Sequence, residues 1–179
     1  MIATKHTLVA LVENKPGVLN RIASLFRRRN YNIDSLTVGR THRPDISRMT
    51  IVMDDGTDPT RVQQNLYKLV NVIQVDDVSA KPTVARDLAL IKVKVDTETR
   101  GQVIQLCDIF RAHIVDAGKE TVIIEVTGDE QKIASLVELL RPIGILEMVR
   151  TGVVTMARGS DVLKANGYKP SGNGKVRSS

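Results

Sequence analysis

The chain has 179 residues, 42% of them hydrophobic and only 3% aromatic with no Trp, so it can bury an aliphatic core in one large or two small domains. The net charge of +6 divides as +3 over residues 1–80, −1 over 81–157 and +4 over 158–179; the body is close to neutral, and the basic balance says little about nucleic acid. A single Cys107 excludes an internal disulfide, no apolar run reaches the roughly 18 residues of a membrane span, and the N-terminus reads as a first strand, not a signal peptide. A cytoplasmic protein that crosses no membrane is therefore expected.

In chain order, Thr4–Glu13 is a β-rich run that stops at the turn "NKPG". Val18, Ile22, Leu25 and Phe26 then recur at helical spacing, and Arg27–Arg29 fall in the last turn, where cations complement the helix dipole. "NIDSLTVGRT" and "SRMTIVMD" read as strands joined by "HRPDI". Asp58 is placed to cap the next helix, with Pro59 at its first position, where a missing N–H costs nothing. Val62, Leu66, Leu69 and Val70 are expected to share that helix's inner face, and "VIQVDDVS" closes a βαββαβ unit.

After the hinge-like stretch "AKPTVARD" the order repeats. "LALIKVKV" is a strand; "TRGQVIQLCDIFRA" is a helix with Val103, Leu106, Cys107 and Phe110 on one side; "HIVDAG" and "TVIIEVTG" are strands. "DEQKIASLVELLRP" is a helix with Ile133, Leu136, Val137 and Leu140 inward, ended by Pro142, and "GILEMVRTGVVTMA" supplies further strand. The fold class is α+β: two ferredoxin-like βαββαβ domains with antiparallel sheets, over 1–80 and 81–159. Each sheet is expected to carry two helices on one face and to leave the other open for a partner. The tail 160–179, rich in Gly, Ser, Lys and Asn, is expected to be disordered.

Catalytic machinery does not emerge. His6, His42 and His113 lack ligand spacing, so no metal site is expected. Cys107 lies on an apolar helix face and reads as core. Asp54, Asp55 and Asp58 read as a turn and an N-cap more simply than as a cation site. RNA-recognition modules share the layout but stack bases on sheet aromatics, and neither candidate central strand has one, so no nucleic-acid partner is expected.

The remaining feature is "ENKPG", where a strand hands over to a helix. Gly17 has no Cβ to keep a ligand away from the backbone, and a helix start offers N–H groups and a positive dipole end to a small carboxylate. Val18, Leu19 and Ile33 offer apolar contact, and Asn14 and Asn32 offer amide oxygens to an ammonium group. An aliphatic amino acid fits this description; so does an ordinary turn with Asn14 near a helix cap.

"LVENKPGVLNRIASLFRRRNYNIDSLTV", "SRMTIVM", "RDLALIKV", "IFRAHIVD" and "LLRPIGILEMVRTGVVTMARG" closely resemble the small regulatory subunits of acetolactate (acetohydroxyacid) synthase, over about residues 3–159. The resemblance implies an N-terminal ACT domain, an amino-acid-sensing module, followed by the family's own C-terminal domain. It implies a homodimer with merged ACT sheets and a branched-chain amino acid, usually valine, bound at the junction. Matched position by position, the effector-binding residues would be Asn14, Pro16, Gly17, Val18, Leu19, Asn32 and Ile33, with Pro16 removing one possible backbone donor. It also implies a separate catalytic chain carrying thiamine diphosphate, magnesium and FAD; no cofactor is expected on this one, where the "GDG" start of a thiamine-diphosphate motif is missing. A free-standing ACT-type sensor of another enzyme or of transcription is the alternative, which the second-half motifs disfavour.

Overall fold

The computed structural model describes residues 5–54 and 56–169. They form two compact units: residues up to 80 with the tail from Ser160, and Lys81–Gly159, with Ser35–Thr37 grouped with the second.

The first unit runs β1 (His6–Glu13), α1 (Val18–Arg29), β2 (Ile33–Arg40), β3 (Ile46–Met53), α2 (Pro59–Leu66) and β4 (Val72–Asp77), with sheet order β2-β3-β1-β4. β1 pairs antiparallel with β3 from His6↔Met53 to Glu13↔Ile46. It also pairs antiparallel with β4, with an irregularity between Leu11 and Val12. β2 and β3 form a hairpin whose turn is closed by Thr41 N donating to Ile46 O at 3.1 Å, so β2 runs parallel to β1 across the sheet. α1 buries Val18, Ile22, Leu25 and Phe26, as its spacing predicts. The Asp58 carboxylate accepts from Thr60 N at 2.9 Å, capping α2 with Pro59 in place. Asp55 lies outside the described residues.

Three expectations change in this unit. α2 stops at Leu66, so Leu69 is only half-buried in the following turn and Val70 is 85% exposed. Both faces of the central strands are shielded, since Leu8 to Val12 are buried without alternation. The continuous run "LVALV" is the pattern of a strand covered on both sides, not of one with a wet face. The tail residues 160–169 are in turn and irregular structure with definite side-chain partners; residues 170–179 lie outside the described residues.

The second unit repeats the plan: β5 (Thr83–Lys94), α3 (Thr99–Phe110), β6 (His113–Ala117), β7 (Thr121–Gly128), α4 (Glu130–Leu140) and β8 (Ile145–Arg150), ordered β6-β7-β5-β8. Here the alternation is real. Ala89, Ile91 and Val93 of β5 and Val122, Ile124 and Val126 of β7 point into a core with Val103, Cys107, Ile133, Leu136 and Leu140. Leu88 and Leu90 between them are only half-buried, so this sheet keeps a more open face, as expected. The hinge-like stretch is a strand instead: Thr83–Arg86 opens β5 and pairs with β9 (Val154–Ala157). The Pro82 carbonyl accepts from Arg158 N at 2.9 Å, so the proline marks the strand's beginning and not a linker.

One charge is buried in this unit. Asp87, 2% exposed, accepts from Arg150 Nε at 2.7 Å and from its Nη2, with the Thr151 hydroxyl at 3.3 Å. Such an acid persists in a core strand only because a cation and a hydroxyl satisfy it.

Candidate functional site

Gly17 has φ +83° and ψ −8°, a left-handed conformation that glycine adopts without the cost a side chain would add. A Cβ built there would meet nothing within 4 Å, so the space in front of this backbone is open. No side chain caps the start of α1, and no acidic residue lies in its first turn. The positive end of the helix thus meets open space beside a glycine.

Asn14 anchors the loop. Its backbone N–H donates to Asp45 O at 2.8 Å and its Nδ2 to Pro44 O at 2.9 Å. With the amide nitrogen engaged by a carbonyl, Oδ1 is the atom left to accept. Pro16 is exposed, Leu19 is 48% exposed, and Val18 is buried at 5%. Val18 therefore turns its side chain to the core, and its backbone N–H donates to Lys15 O at 3.4 Å.

Asn32 and Ile33 do not join this loop within one chain. Asn32 Nδ2 donates to the Asp54 carboxylate just past the end of β3, and Lys5 pairs with Asp34 at 3.0 Å near the start of β1. The loop Asn14–Leu19 lies at the other end of the sheet, where Glu13 faces Ile46. Eight residues of β2 separate the two ends, roughly 23 Å at about 3.3 Å per residue. An open cleft of about 580 Å³ also lies at the Asn32 end, between Arg29–Tyr31 and Thr57–Arg61.

Sequence reasoning missed the brace behind the loop. Glu13 Oε2 accepts from Asn71 Nδ2 at 2.5 Å, Asn71 Oδ1 accepts from Arg21 at 2.9 Å, and Glu13 N donates to Asn71 O at 2.9 Å. Lys15 sits on Glu13 Oε1 at 3.1 Å. These bonds, Asn71 foremost, hold the Glu13 carboxyl below its ordinary value of 4.5 against the opposing effect of burial. Glu13 and Asn71 are 58 residues apart, and neither has a spacing that would single it out.

Elsewhere the chemistry is quiet. Among the described residues no group of His, Cys, Asp and Glu could hold a metal ion, and no helix is long and apolar enough to cross a membrane. Cys107 is buried, and burial pushes its thiol up, away from the nucleophilic thiolate.

Residues 8–74 match the family model described as an AHAS small subunit-like ACT domain, and residues 86–159 match the model of the small subunit of acetolactate synthase. The chain belongs to the acetolactate synthase small-subunit family. It is 51% identical over 157 residues to the "Probable acetolactate synthase small subunit" of Archaeoglobus fulgidus, covering 87% of this chain and 98% of that one. It is 48% identical over 155 residues to the acetolactate synthase small subunit of Mycolicibacterium smegmatis, covering 86% and 91%. The crystal structure of the acetolactate synthase small subunit from Thermotoga maritima superposes with a TM-score of 0.81 at 40% identity, over 88% of this chain and 99% of that one. The loop Asn14–Leu19, Asn32 and Ile33 thus all fall inside the ACT-domain match, and the buried Asp87 inside the second.

Proposed function

We propose that this chain is the regulatory subunit of an acetolactate synthase. It activates a separate catalytic chain and lets valine, the end product, restrain it. Thiamine diphosphate, magnesium and FAD belong to that partner in this reading. The observation that carries it is the pair of family matches across both units: a free-standing amino-acid sensor would account for residues 8–74 but not for 86–159.

The loop geometry supports the effector role. The carboxylate of an amino acid accepts from the Leu19 and Asn20 N–H groups in the first turn of α1, which no side chain caps, beside an open Gly17; the Val18 N–H already donates to Lys15 O at 3.4 Å. Leu19 supplies exposed apolar surface to an aliphatic side chain. Asn14 and Asn32 both spend their amide nitrogens on protein oxygens, which leaves their Oδ1 atoms for an ammonium group.

Since Asn14 and Asn32 lie at opposite ends of one sheet, the site needs two chains. β2 is an edge strand. A two-fold axis beside it pairs β2 with its own copy antiparallel, a self-complementary contact that closes at two chains. The start of the partner's β2 then comes level with the Asn14–Leu19 end of the first chain.

Mixed dimers test this. Gly17→Asp and Asn32→Ala chains should each lose valine binding as homodimers. Co-expressed, they should regain one intact site in each mixed dimer, because one chain contributes an unaltered loop and the other an unaltered Asn32. If mixed dimers bind no more valine than either parent, the two groups do not share a site across chains.

A further inference from the structure

The second family match stops at residue 159, while the sequence runs on to 179. Residues 160–169 group with the first unit, and Tyr168 makes specific contacts there. Gly167, at φ +72°, takes the left-handed conformation just before it. Tyr168 then donates its phenol O–H to Glu13 Oε1 at 3.2 Å, and the Arg43 guanidinium lies over its ring, 5.6 Å from the centroid. Arg43 is itself held by Asp45 at 3.0 Å.

These partners are not scattered. Glu13 is the last residue of β1, immediately before the Asn14–Gly17 loop. Arg43 and Asp45 flank Pro44 in the β2–β3 turn, and Pro44 O and Asp45 O are the acceptors for Asn14. One aromatic side chain from the extension therefore touches both segments that fix the loop. Burial, and the negative charge of Glu13, push the Tyr168 phenol up, which keeps its proton available for donation.

We propose that residues 160–169 form an intramolecular strap, latched by Tyr168 onto Glu13 and Arg43, that positions the Asn14–Gly17 loop. Tyr168 is a positioning residue: it holds Glu13 and the β2–β3 turn together, and they hold Asn14. Where the loop binds an effector, the strap sets part of the affinity, and to that extent the inference rests on the effector reading above.

The test uses the full chain, Tyr168→Phe and Tyr168→Ala. Hydrogen exchange of the amides at residues 13–19 is the primary readout and needs no ligand. Exchange there should accelerate in Tyr168→Ala, and less in Tyr168→Phe, which keeps the ring under Arg43 but loses the donor. Exchange in β5 and α3 should not change. Exchange at 13–19 as slow in Tyr168→Ala as in the unaltered chain would overturn the strap. Valine titration is the second readout, and its Kd should rise roughly three- to tenfold in Tyr168→Ala, the scale of the net contribution of one ordinary hydrogen bond, because the strap acts on the effector only through the loop. An unaltered chain that binds no valine would count against the effector reading alone, because exchange would still decide the strap.

Discussion

Gly17→Asp separates two effects that act at one residue. The first is conformational. At φ +83° a side chain costs about 1–2 kcal/mol of stability, with no steric addition because a Cβ there meets nothing within 4 Å. Aspartate tolerates this region better than most residues, and a negative charge at the uncapped start of α1 returns about 0.3–1 kcal/mol. The net loss should be about 1 kcal/mol, a Tm shift of roughly 4–8 °C for a unit of this size melting by itself. The second effect is on binding. The new carboxylate occupies the first-turn N–H groups and stands about 4 Å from an incoming one. Repulsion there is about 1 kcal/mol in water and about 4 kcal/mol at the effective dielectric of a partly shielded site, a loss of affinity of roughly five- to a thousandfold. Gly17→Ala is the control: it carries the full conformational cost without the charge, so it should be the less stable variant and the better binder. Calorimetric titration with valine, alongside thermal melts of all three chains, reads both quantities. Unaltered valine affinity in a folded Gly17→Asp chain would remove this turn from the effector site.

Three further outcomes are expected. Valine at a hundredfold excess over its Kd should stabilise the folded state by about 2.7 kcal/mol, whereas lysine, with its second ammonium group, should do little; equal shifts in melts with both would argue against an apolar pocket. Asp87→Ala should cost about 3 kcal/mol by denaturant titration, the low end for a broken buried pair because Arg150, at 32% side-chain exposure, can rehydrate, and it should leave valine affinity unchanged. The depressed Glu13 carboxyl contributes stability that is present above its ordinary value of 4.5 and lost as pH falls through its lower folded value. The stability gap between the unaltered chain and Glu13→Gln should therefore be constant at neutral pH and shrink in melts taken at pH values progressively below 4.5; a gap that widens on acidification would contradict that sign.

Local chemistry in this chain was legible where one residue decides the outcome. Gly17 before a helical run, Asp58-Pro59 before the next, and Cys107 on an apolar face all occupy the positions their chemistry predicts. Periodicity was equally direct for α1, whose four spaced apolar residues are its four buried ones. It misled at Val70, which continues the spacing after the helix has ended, because spacing alone carries no stop signal. The unbroken apolar run of β1 held the information that both faces of its strand are covered, but a repeated βαββαβ plan suggested one open face, and the second unit, with true alternation, is the one that keeps it. Long-range facts were out of reach. That Asn32 sits a sheet's length from Asn14 follows from β2 running parallel to β1, which the order of elements implies but a list of matched residues conceals. That Tyr168 meets Glu13 across 155 residues has no sequence signal at all, and the polar composition of the tail pointed the other way.

The most direct measurement is acetolactate formation from pyruvate by the catalytic chain proposed as partner, assayed with this chain absent, present, and present with valine. This chain alone should form no acetolactate, its addition should raise turnover by the catalytic chain, and valine should lower the combined rate while leaving the catalytic chain alone much less affected. Turnover by this chain alone, or a catalytic rate indifferent to its addition, would contradict the assignment of a regulatory subunit.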